Sequence, residues 1–236
     1  MTKPTTLITG ATRGIGRATA LALAASGHHI LATGRTQGAL EELDDAITIT
    51  GGTCTLIPFD LRERDQINQL ALIIHERYGH LDGLFGNAGV LGEITPASQV
   101  TPKTWDEVMA VNLTANVDLV RAMDPLLREA PAGRAVFVSS GVATSRRPYW
   151  AAYAASKAGL EAFIQCYARE VDSGSLRVNL LDPGAVATKM RAKAMPGENP
   201  DTLPQPDDIA PLVVEMLSPS YTKSAEIIRY RDWAAS

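Results

Sequence analysis

The sequence predicts an α/β fold: a doubly wound, parallel sheet of about seven strands with helices on both faces. Two observations support this. Short apolar runs rich in β-branched residues alternate with amphipathic helical segments, and glycine or polar residues follow several of the strand-like runs. The length of 236 residues suits one domain of this class, and no linker or low-complexity tract interrupts it. We therefore expect residues 1–236 to form a single domain.

The first unit contains a strand at 5–9, a glycine-rich turn and an Ala-rich helix at 17–26. This order is the context that a dinucleotide-binding fingerprint requires. Glycines let the backbone turn tightly and approach a pyrophosphate, whose charge meets the free amides at the helix N-terminus. The turn consists of Gly10, Ala11, Thr12, Arg13, Gly14, Ile15 and Gly16. A glycine turn without a ligand is the alternative.

The same alternation continues to the end of the chain. Further strands are predicted at 29–33, 54–59, 81–85, 134–139 and 176–181, with a weak edge strand at 226–230. Helices are predicted at 38–50, 64–78, 104–129, 153–172 and 207–217. The segment 188–206, rich in Met, Lys, Pro and Gly, is too irregular for one element and is predicted to be a mobile flap.

Five of the predicted loops follow strands and carry glycine or polar residues. In open α/β sheets, ligands bind in the crevice beyond the carboxyl ends of the strands. We therefore expect these loops to converge on one site. They contain Gly10 to Gly16, Asp60, Asn87 to Gly89, Ser139 with Ser140, and Pro183 with Gly184.

Tyr153 and Lys157 lie four residues apart in a predicted helix, so their side chains share one face. A unit charge roughly 4 Å from a phenol, at an effective dielectric of about 20, is worth about 3 pKa units. Lys157 is thus expected to lower the pKa of Tyr153 toward neutrality, where a general acid works best. The alternative is an ordinary helix that happens to carry these residues.

Composition and charge exclude several classes of protein. Hydrophobic residues make up 45% and charged residues 20%, which is a soluble globular composition, and the net charge of −4 offers no footprint for nucleic acid or an anionic membrane. We see neither a secretion signal nor a transmembrane span, so the expected location is the cytoplasm.

The cysteines and histidines form no metal-binding pattern. Cys54 and Cys166 lie in apolar segments and are predicted to be buried, reduced thiols. The four histidines show no metal-ligand spacing, so we predict no metal site.

Together these motifs resemble the short-chain dehydrogenase/reductase family, in its compact single-domain branch with a Rossmann-type fold. The resemblance extends over essentially the whole chain. It is carried by Gly10-x-x-x-Gly14-x-Gly16, Asn87-Ala88-Gly89, Asn112, Ser140 ahead of Tyr153-x-x-x-Lys157, and Pro183-Gly184 with Thr188.

The resemblance implies a role for each catalytic residue. Tyr153 would give a proton to a carbonyl, Ser140 would orient the substrate oxygen, and Lys157 would lower the Tyr153 pKa and bind the nicotinamide ribose. Asn112 would hold a water that continues the proton relay. The implied cofactor-binding residues are Gly10, Thr12, Arg13, Gly14, Ile15, Gly16, Arg35, Asp60, Leu61, Asn87, Ala88, Gly89, Tyr153, Lys157, Pro183, Gly184, Val186 and Thr188. Caps and turns are the alternative roles for the polar ones, and Asp60 could simply start a helix.

The predicted cofactor is NADP(H). Relatives that prefer NAD place an acidic residue at the end of the second strand, where this chain has Ala32-Thr33-Gly34-Arg35. Arg35 can offer its guanidinium to a 2′-phosphate, and Arg13 can approach from the glycine turn. Two surface arginines without this role are the alternative.

The predicted function is an NADPH-dependent, reversible reduction of an aldehyde or ketone. A non-catalytic NADP-binding sensor is the alternative from another class, and an epimerase or dehydratase of the longer branch is a second alternative. A homodimer or homotetramer is expected because the helices at 104–129 and 153–172 hold more apolar and small residues than one sheet face can cover.

Two features lie outside this pattern. Gly86 stands where the family often has a first asparagine, which should leave the turn intact while removing a side chain. Arg146 and Arg147, in the loop before Tyr153, could attract an anionic substrate, although solvated or interface arginines are commoner.

Overall fold

Seven parallel strands form one sheet in the computed structural model, which describes residues 3–235. The strands are β1 Thr5–Ile8, β2 His29–Gly34, β3 Thr53–Pro58, β4 Gly83–Gly86, β5 Arg134–Val138, β6 Arg177–Asp182 and β7 Ile227–Arg229. Their order across the sheet is β3-β2-β1-β4-β5-β6-β7. The chain therefore reverses its direction of winding between β1 and β4, which opens a crevice beyond their carboxyl ends. The predicted fold class is confirmed.

Helices cover both faces of the sheet. They are α1 Gly14–Ala25, α2 Gln37–Ile49, α3 Arg64–Tyr78, α4 Pro102–Met109, α5 Ala115–Glu129, α6 Val142–Ser145, α7 Ala151–Glu170, α8 Lys189–Ala194, α9 Pro206–Met216 and α10 Tyr230–Trp233. Side chains alternate along each strand, so Leu7 packs beneath α3, α5 and α7, whereas Ile8 packs beneath α1, α2 and α9. The central strands β1, β4 and β5 are buried along their whole length, so they show no alternation of buried and exposed residues, whereas the edge strands β3 and β7 are partly exposed.

The long helix predicted at 104–129 is divided by a wider turn. It begins earlier, at Pro102, where the Thr101 hydroxyl accepts a hydrogen bond from the Thr104 amide at 3.1 Å. The five residues Ala110–Thr114, which connect α4 to α5, form a π-helix. Such π-turns are rare in proteins as a whole, but those that occur are often found at functional sites. Here the π-turn carries the buried Asn112.

The segment 188–206 contains more regular structure than its composition predicts. Thr188 caps α8, since its hydroxyl accepts from the Arg191 amide at 3.2 Å. The Arg191 guanidinium then donates to the Glu198 carboxylate at 2.6 Å between Nη2 and Oε1. The segment is not one element, as predicted, but it contains a short helix that the prediction did not include; that it acts as a mobile flap stays a prediction.

The cysteines differ from each other in environment. Cys54 is half-buried in β3, and burial raises the pKa of its thiol to about 12. Cys166 is exposed, because it lies on the outer face of α7, while its neighbours Tyr167 and Ala168 are buried. The prediction of a buried thiol was wrong for Cys166.

Within residues 3–235, no helix is both long and apolar enough to cross a membrane. Nor does this range contain a group of three or more His, Cys, Asp or Glu residues that could hold a metal ion.

Candidate active site

The five predicted loops lie at the carboxyl edge of the sheet, since each follows the end of a parallel strand. The glycine turn follows β1, Asp60 follows β3, and Asn87 follows β4. Ser139 and Ser140 follow β5, and Pro183 follows β6. The strands β1, β4, β5 and β6 are adjacent in the sheet, so four of these loops border one another.

The glycine turn adopts the backbone that the fingerprint requires. Gly10 and Gly14 have positive φ angles of 64° and 54°, which side-chain-bearing residues rarely adopt. Gly16 faces the Gly10 carbonyl so closely that a Cβ atom would overlap it. Arg13 is the N-cap residue of α1. Its side chain accepts no hydrogen bond from the first amides of the helix. The turn can therefore bring backbone amides up to a phosphate.

The other residues of the turn pack it against β2 and the core. Thr12 lies beside Gly34, where an added Cβ would be only 2.8 Å from the Thr12 methyl carbon. Ile15 packs against the hydrophobic cluster beneath α1. The end of β2 and the glycine turn thus approach each other through small groups.

Thr9 joins the glycine turn to the loop after β4. Its buried hydroxyl accepts hydrogen bonds from the amides of Asn87 at 3.0 Å and Ala88 at 3.1 Å. Asn87 Nδ2 in turn donates to the carbonyls of Thr9 at 3.0 Å and Gly10 at 3.2 Å. Asn87 therefore holds two loops together, and its predicted contact with the cofactor stays a prediction. Thr9 directly precedes the first glycine of the fingerprint, but its hydrogen bonds to the loop after β4 were not predicted from the sequence.

Asn112 connects the loop that follows Gly89 to the start of α7. It is fully buried, and its Oδ1 accepts from the Val90 amide at 2.8 Å. Its Nδ2 donates to the Val90 carbonyl at 2.9 Å and to the Ser156 hydroxyl at 3.0 Å, and Ser156 donates to the Tyr153 carbonyl at 2.8 Å. The Asn112 side chain thus positions the backbone that carries Tyr153. A role in a water relay stays a prediction.

Tyr153 and Lys157 share one face of α7, as their spacing predicts. The Ser140 hydroxyl lies close enough to the Tyr153 hydroxyl to act on its pKa, which it lowers. Lys157 is only 3% exposed, and its Nζ donates to the Val138 carbonyl at 2.7 Å while lying 5.9 Å from the centre of the Tyr153 ring. Gly89 lies nearby, because a Cβ there would be 3.8 Å from Lys157 Nζ. The structure therefore brings together Ser140, Tyr153 and Lys157.

The electrostatics of this group correct one expectation. Burial raises the pKa of Tyr153 to about 12, which outweighs the lowering effect of the Ser140 hydroxyl, and the Asp182 carboxylate raises it further. Burial also lowers the pKa of Lys157 to about 8, while Glu161 acts in the opposite direction. The prediction of a Tyr153 pKa near neutrality was wrong, because the cost of burying a phenolate dominates. Tyr153 consequently keeps its proton at neutral pH and can act as an acid.

Asp182, which sequence reasoning missed, connects the loops after β5 and β6. Its Oδ1 accepts from the Gly141 amide at 3.0 Å and from the Gly184 amide at 3.1 Å. Gly184 has a φ of 70°, so the Pro183-Gly184 turn needs its glycine. Val186 places its side chain in the core, and the Thr188 methyl carbon is 3.4 Å from where a Gly14 Cβ would lie. The end of β6 therefore reaches the glycine turn.

Asp60 forms an ion pair that sequence reasoning did not foresee. The Arg62 guanidinium contacts its carboxylate at 2.6 Å, and the Arg62 amide donates to Asp60 Oδ1 at 3.0 Å. This bond from residue i+2 is an Asx-turn, and α3 begins only at Arg64, so Asp60 does not start the helix. The hydrogen bond from Arg62 is the main reason why the pKa of Asp60 is lowered, and Arg35 adds to it. Leu61 packs against the core.

The two arginines predicted to select the cofactor are both exposed. Arg35 directly follows β2, and Arg13 directly precedes α1. The charge of Arg35 reaches Asp60, so Arg35 lies on the side of the crevice where β3 ends. The structure places no carboxylate at the end of β2, whose last residues are Ala32, Thr33 and Gly34.

The loop before α7 contains strained backbone. Arg146 and Tyr149 have positive φ angles of 47° and 72°, which are uncommon for residues with side chains. The Tyr149 carbonyl accepts from the Thr95 amide at 3.0 Å. Trp150 packs edge-on against Tyr153, with ring centres 5.9 Å apart. The indole therefore forms a wall beside the phenol.

Comparisons with known proteins agree with this geometry. The family model described as short chain dehydrogenase matches residues 4–199. The chain is a member of the short-chain dehydrogenase/reductase family. This short-chain dehydrogenase is 38% identical to the oxidoreductase YciK of Escherichia coli K12 over 222 residues, covering 89% of this chain and 84% of YciK.

Two solved structures of short-chain dehydrogenases resemble this one closely. A protein from Shigella flexneri 2a, complexed with NADP, superposes with a TM-score of 0.93 at 37% identity, covering 97% of each chain. A protein from Escherichia coli CFT073, complexed with NADPH, has a TM-score of 0.92 at 38% identity, covering 97% of this chain and 96% of the other. The arrangement of strands and helices is therefore that of the family.

One departure from the family pattern has a structural explanation. A Cβ atom at Gly86 would overlap the ring of Phe137 and lie 2.9 Å from Asn116 Oδ1. The Phe137 ring thus occupies the space that a first asparagine would need, and the turn keeps its shape.

Proposed function

We propose that this short-chain dehydrogenase reduces the carbonyl of an aldehyde or ketone to an alcohol, reversibly, with NADPH as the cofactor. The observation that carries the proposal is the grouping of Tyr153 and the buried Lys157 on one face of α7, with Lys157 Nζ 5.9 Å from the centre of the Tyr153 ring and the Ser140 hydroxyl close to the phenol. The two hydroxyls together offer donors to one carbonyl oxygen. The relatives crystallised with NADP and NADPH support the choice of cofactor.

The glycine turn suits a dinucleotide. Gly10 and Gly14 adopt left-handed backbone, and the first amides of α1 have no side-chain cap from Arg13. A pyrophosphate would meet these amides, and Lys157 would meet the nicotinamide ribose. When bound, NADPH supplies the hydride, and the protein supplies orientation and a proton.

In the reaction, Tyr153 supplies the proton. A new C–H bond forms at the carbonyl carbon, the electron pair of the C=O π bond moves to oxygen, and that oxygen takes the proton of Tyr153. The carbonyl is reduced and NADPH is oxidised. Ser140 donates to the same oxygen and fixes its position, while the Lys157 ammonium stabilises the phenolate that remains. In the direction of alcohol oxidation, the phenolate of Tyr153 accepts the proton.

Selection of NADPH over NADH rests on Arg35 and Arg13. A hydrogen bond to a charged group contributes about 1.5 to 3 kcal/mol, so two such bonds favour the phosphorylated cofactor by about 10²- to 10⁴-fold before screening by solvent and salt. Dissociation constants of NADPH and NADH for the wild type and Arg35→Ala test this. Equal affinities in the wild type, or an unchanged NADPH affinity in the variant, would contradict the proposal.

The reaction itself is tested by consumption of NADPH with a panel of aldehydes, ketones and quinones. On any substrate found, Tyr153→Phe should bind NADPH normally and lose about 10²- to 10⁴-fold in rate. A near-normal rate for Tyr153→Phe would refute the assignment of the acid. NADPH binding without turnover of any substrate would instead favour a sensor.

We further propose that the protein assembles as a homodimer or homotetramer through α5 and α7, and that it acts in the cytoplasm. Trp105 lies on α4, which leads through the π-turn into α5. Its side chain is 42% exposed and adds to the apolar surface of the predicted 104–129 segment.

A further inference from the structure

The helix α7 presents three polar side chains, one helical turn apart, along the face that lies against the end of β5. They are Tyr153, Lys157 and Glu161, at positions i, i+4 and i+8. Each contacts one of three consecutive residues at or just beyond the end of that strand. The contacts are Tyr153 with the Ser140 hydroxyl, Lys157 Nζ with the Val138 carbonyl at 2.7 Å, and Glu161 Oε1 with the Ser139 hydroxyl at 2.6 Å.

The proposed reaction uses the first two contacts and gives no role to the third. Ser139 is only 1% exposed, so its hydroxyl is fixed in the protein interior and donates to Glu161. A hydroxyl that donates to a carboxylate forms a charge-assisted hydrogen bond, which is short and fixes the direction of the carboxylate. The Glu161 side chain is thereby held in place one turn beyond Lys157.

We propose that Glu161 is a positioning residue for Lys157: its carboxylate, held by the Ser139 hydroxyl, keeps the buried ammonium charged and so sets the upper pH limit of the reaction. The effect of Glu161 on the pH limit of the reaction rests on the proposed function. Its effect on the charge of Lys157 is a property of the folded protein alone.

Burial makes this support necessary. Removal from water lowers the pKa of Lys157 to about 8, and Glu161 is the group that raises it. Tyr153, on the same helix, is neutral at this pH, and the Asp182 carboxylate at the end of β6 acts on Tyr153. Without Glu161, the Lys157 ammonium would lose its proton closer to neutral pH.

The decisive variant is Glu161→Gln, which keeps an oxygen that can accept from Ser139 but removes the charge. The pKa of Lys157 is measured by carbon NMR of lysine-labelled protein without cofactor, with the signal assigned from Lys157→Met. We expect the pKa to fall by about 0.5 to 1 unit in Glu161→Gln. The matched control is Glu170→Gln, at the end of the same helix, which should leave it unchanged. An identical Lys157 pKa in wild type and Glu161→Gln would overturn the proposal.

A second variant and a second measurement separate the charge of Glu161 from its hydrogen bond and from its effect on folding. Ser139→Ala keeps the charge of Glu161 but frees its carboxylate to turn away, so we expect the Lys157 pKa to fall by a smaller amount. If Glu161→Gln does not fold, an unchanged Lys157 pKa in Ser139→Ala overturns the proposal. On a confirmed substrate, the alkaline limb of kcat/KM should move down in Glu161→Gln by the same amount as the Lys157 pKa. Absence of any turnover would refute the proposed function, while the NMR titration would still decide the role of Glu161.

Discussion

Replacing Thr9 by Val tests whether its hydroxyl holds the glycine turn and the loop after β4 together. Valine keeps the shape of threonine but cannot accept a hydrogen bond. The Ala88 amide, which donates to Thr9 Oγ1 at 3.1 Å, would lose its acceptor, whereas the Asn87 amide would lose Thr9 Oγ1 at 3.0 Å but keep the Phe85 carbonyl at 3.0 Å. The loop after β4 would then be attached to the glycine turn mainly through Asn87 Nδ2.

The expected loss of stability follows from the Ala88 amide left without a partner and from the weaker attachment of the Asn87 amide. A partly buried donor without a partner costs about 1 to 3 kcal/mol, and the added methyl group returns about 0.8 kcal/mol. Asn87 and Ala88 are half-buried, so water can relieve part of the penalty. We expect a net destabilisation of about 1.5 kcal/mol, or about 3 to 6 °C in Tm for a chain of this size.

The assay is urea denaturation at one fixed protein concentration, with NADPH binding measured in parallel. Thr9→Ser is the matched control, because it keeps the hydroxyl and loses only a methyl group, worth about 0.8 kcal/mol. We expect the stabilities to rank wild type, then Thr9→Ser, then Thr9→Val, with NADPH affinity reduced only in Thr9→Val. A Thr9→Val protein as stable as Thr9→Ser would show that the hydroxyl does not hold the loops.

Three further predictions concern Asp182, Lys157 and the assembly. Asp182→Asn should lower the pKa of Tyr153 below about 12, because it removes a nearby negative charge. An ultraviolet titration referenced to Tyr153→Phe would measure this pKa, and an unchanged or higher value would contradict the prediction. Lys157→Ala should lose both turnover and NADPH affinity, and normal NADPH binding in a titration would refute its contact with the cofactor. Light scattering at micromolar concentration should give at least twice the chain mass of 25.2 kDa, and a value equal to one chain would rule out the assembly.

The fold could be predicted from sequence because its signals are local. Apolar β-branched runs and amphipathic segments follow one another in a regular order, and the predicted ends of β1, α2 and α3 agree with the structure to within one residue. The helix α8 was missed because its stability depends on the Thr188 cap and on the pairing of Arg191 with Glu198, which no hydrophobic period reveals. The π-turn at Ala110–Thr114 was missed for the same reason.

The residues of the candidate site also differ in whether local sequence signals could identify them. Residues in short motifs, such as Tyr153 with Lys157, could be identified because spacing alone sets their relation on a helix. Partners that come from distant segments could not: Thr9 for Asn87, and Asp182 for the loop after β5. The pKa of Tyr153 was predicted in the wrong direction because a sequence shows the neighbouring charge but not the extent of burial.

The contrast between the two cysteines provides a ready attachment point for a probe. Cys54 has a pKa of about 12 and forms little thiolate at neutral pH, whereas Cys166 is exposed on the outer face of α7. A maleimide reagent should therefore modify Cys166 selectively in the unaltered protein. A nitroxide attached there would report, by pulsed electron paramagnetic resonance, the separation of two copies of α7, and slower labelling at high protein concentration would show that assembly covers this face.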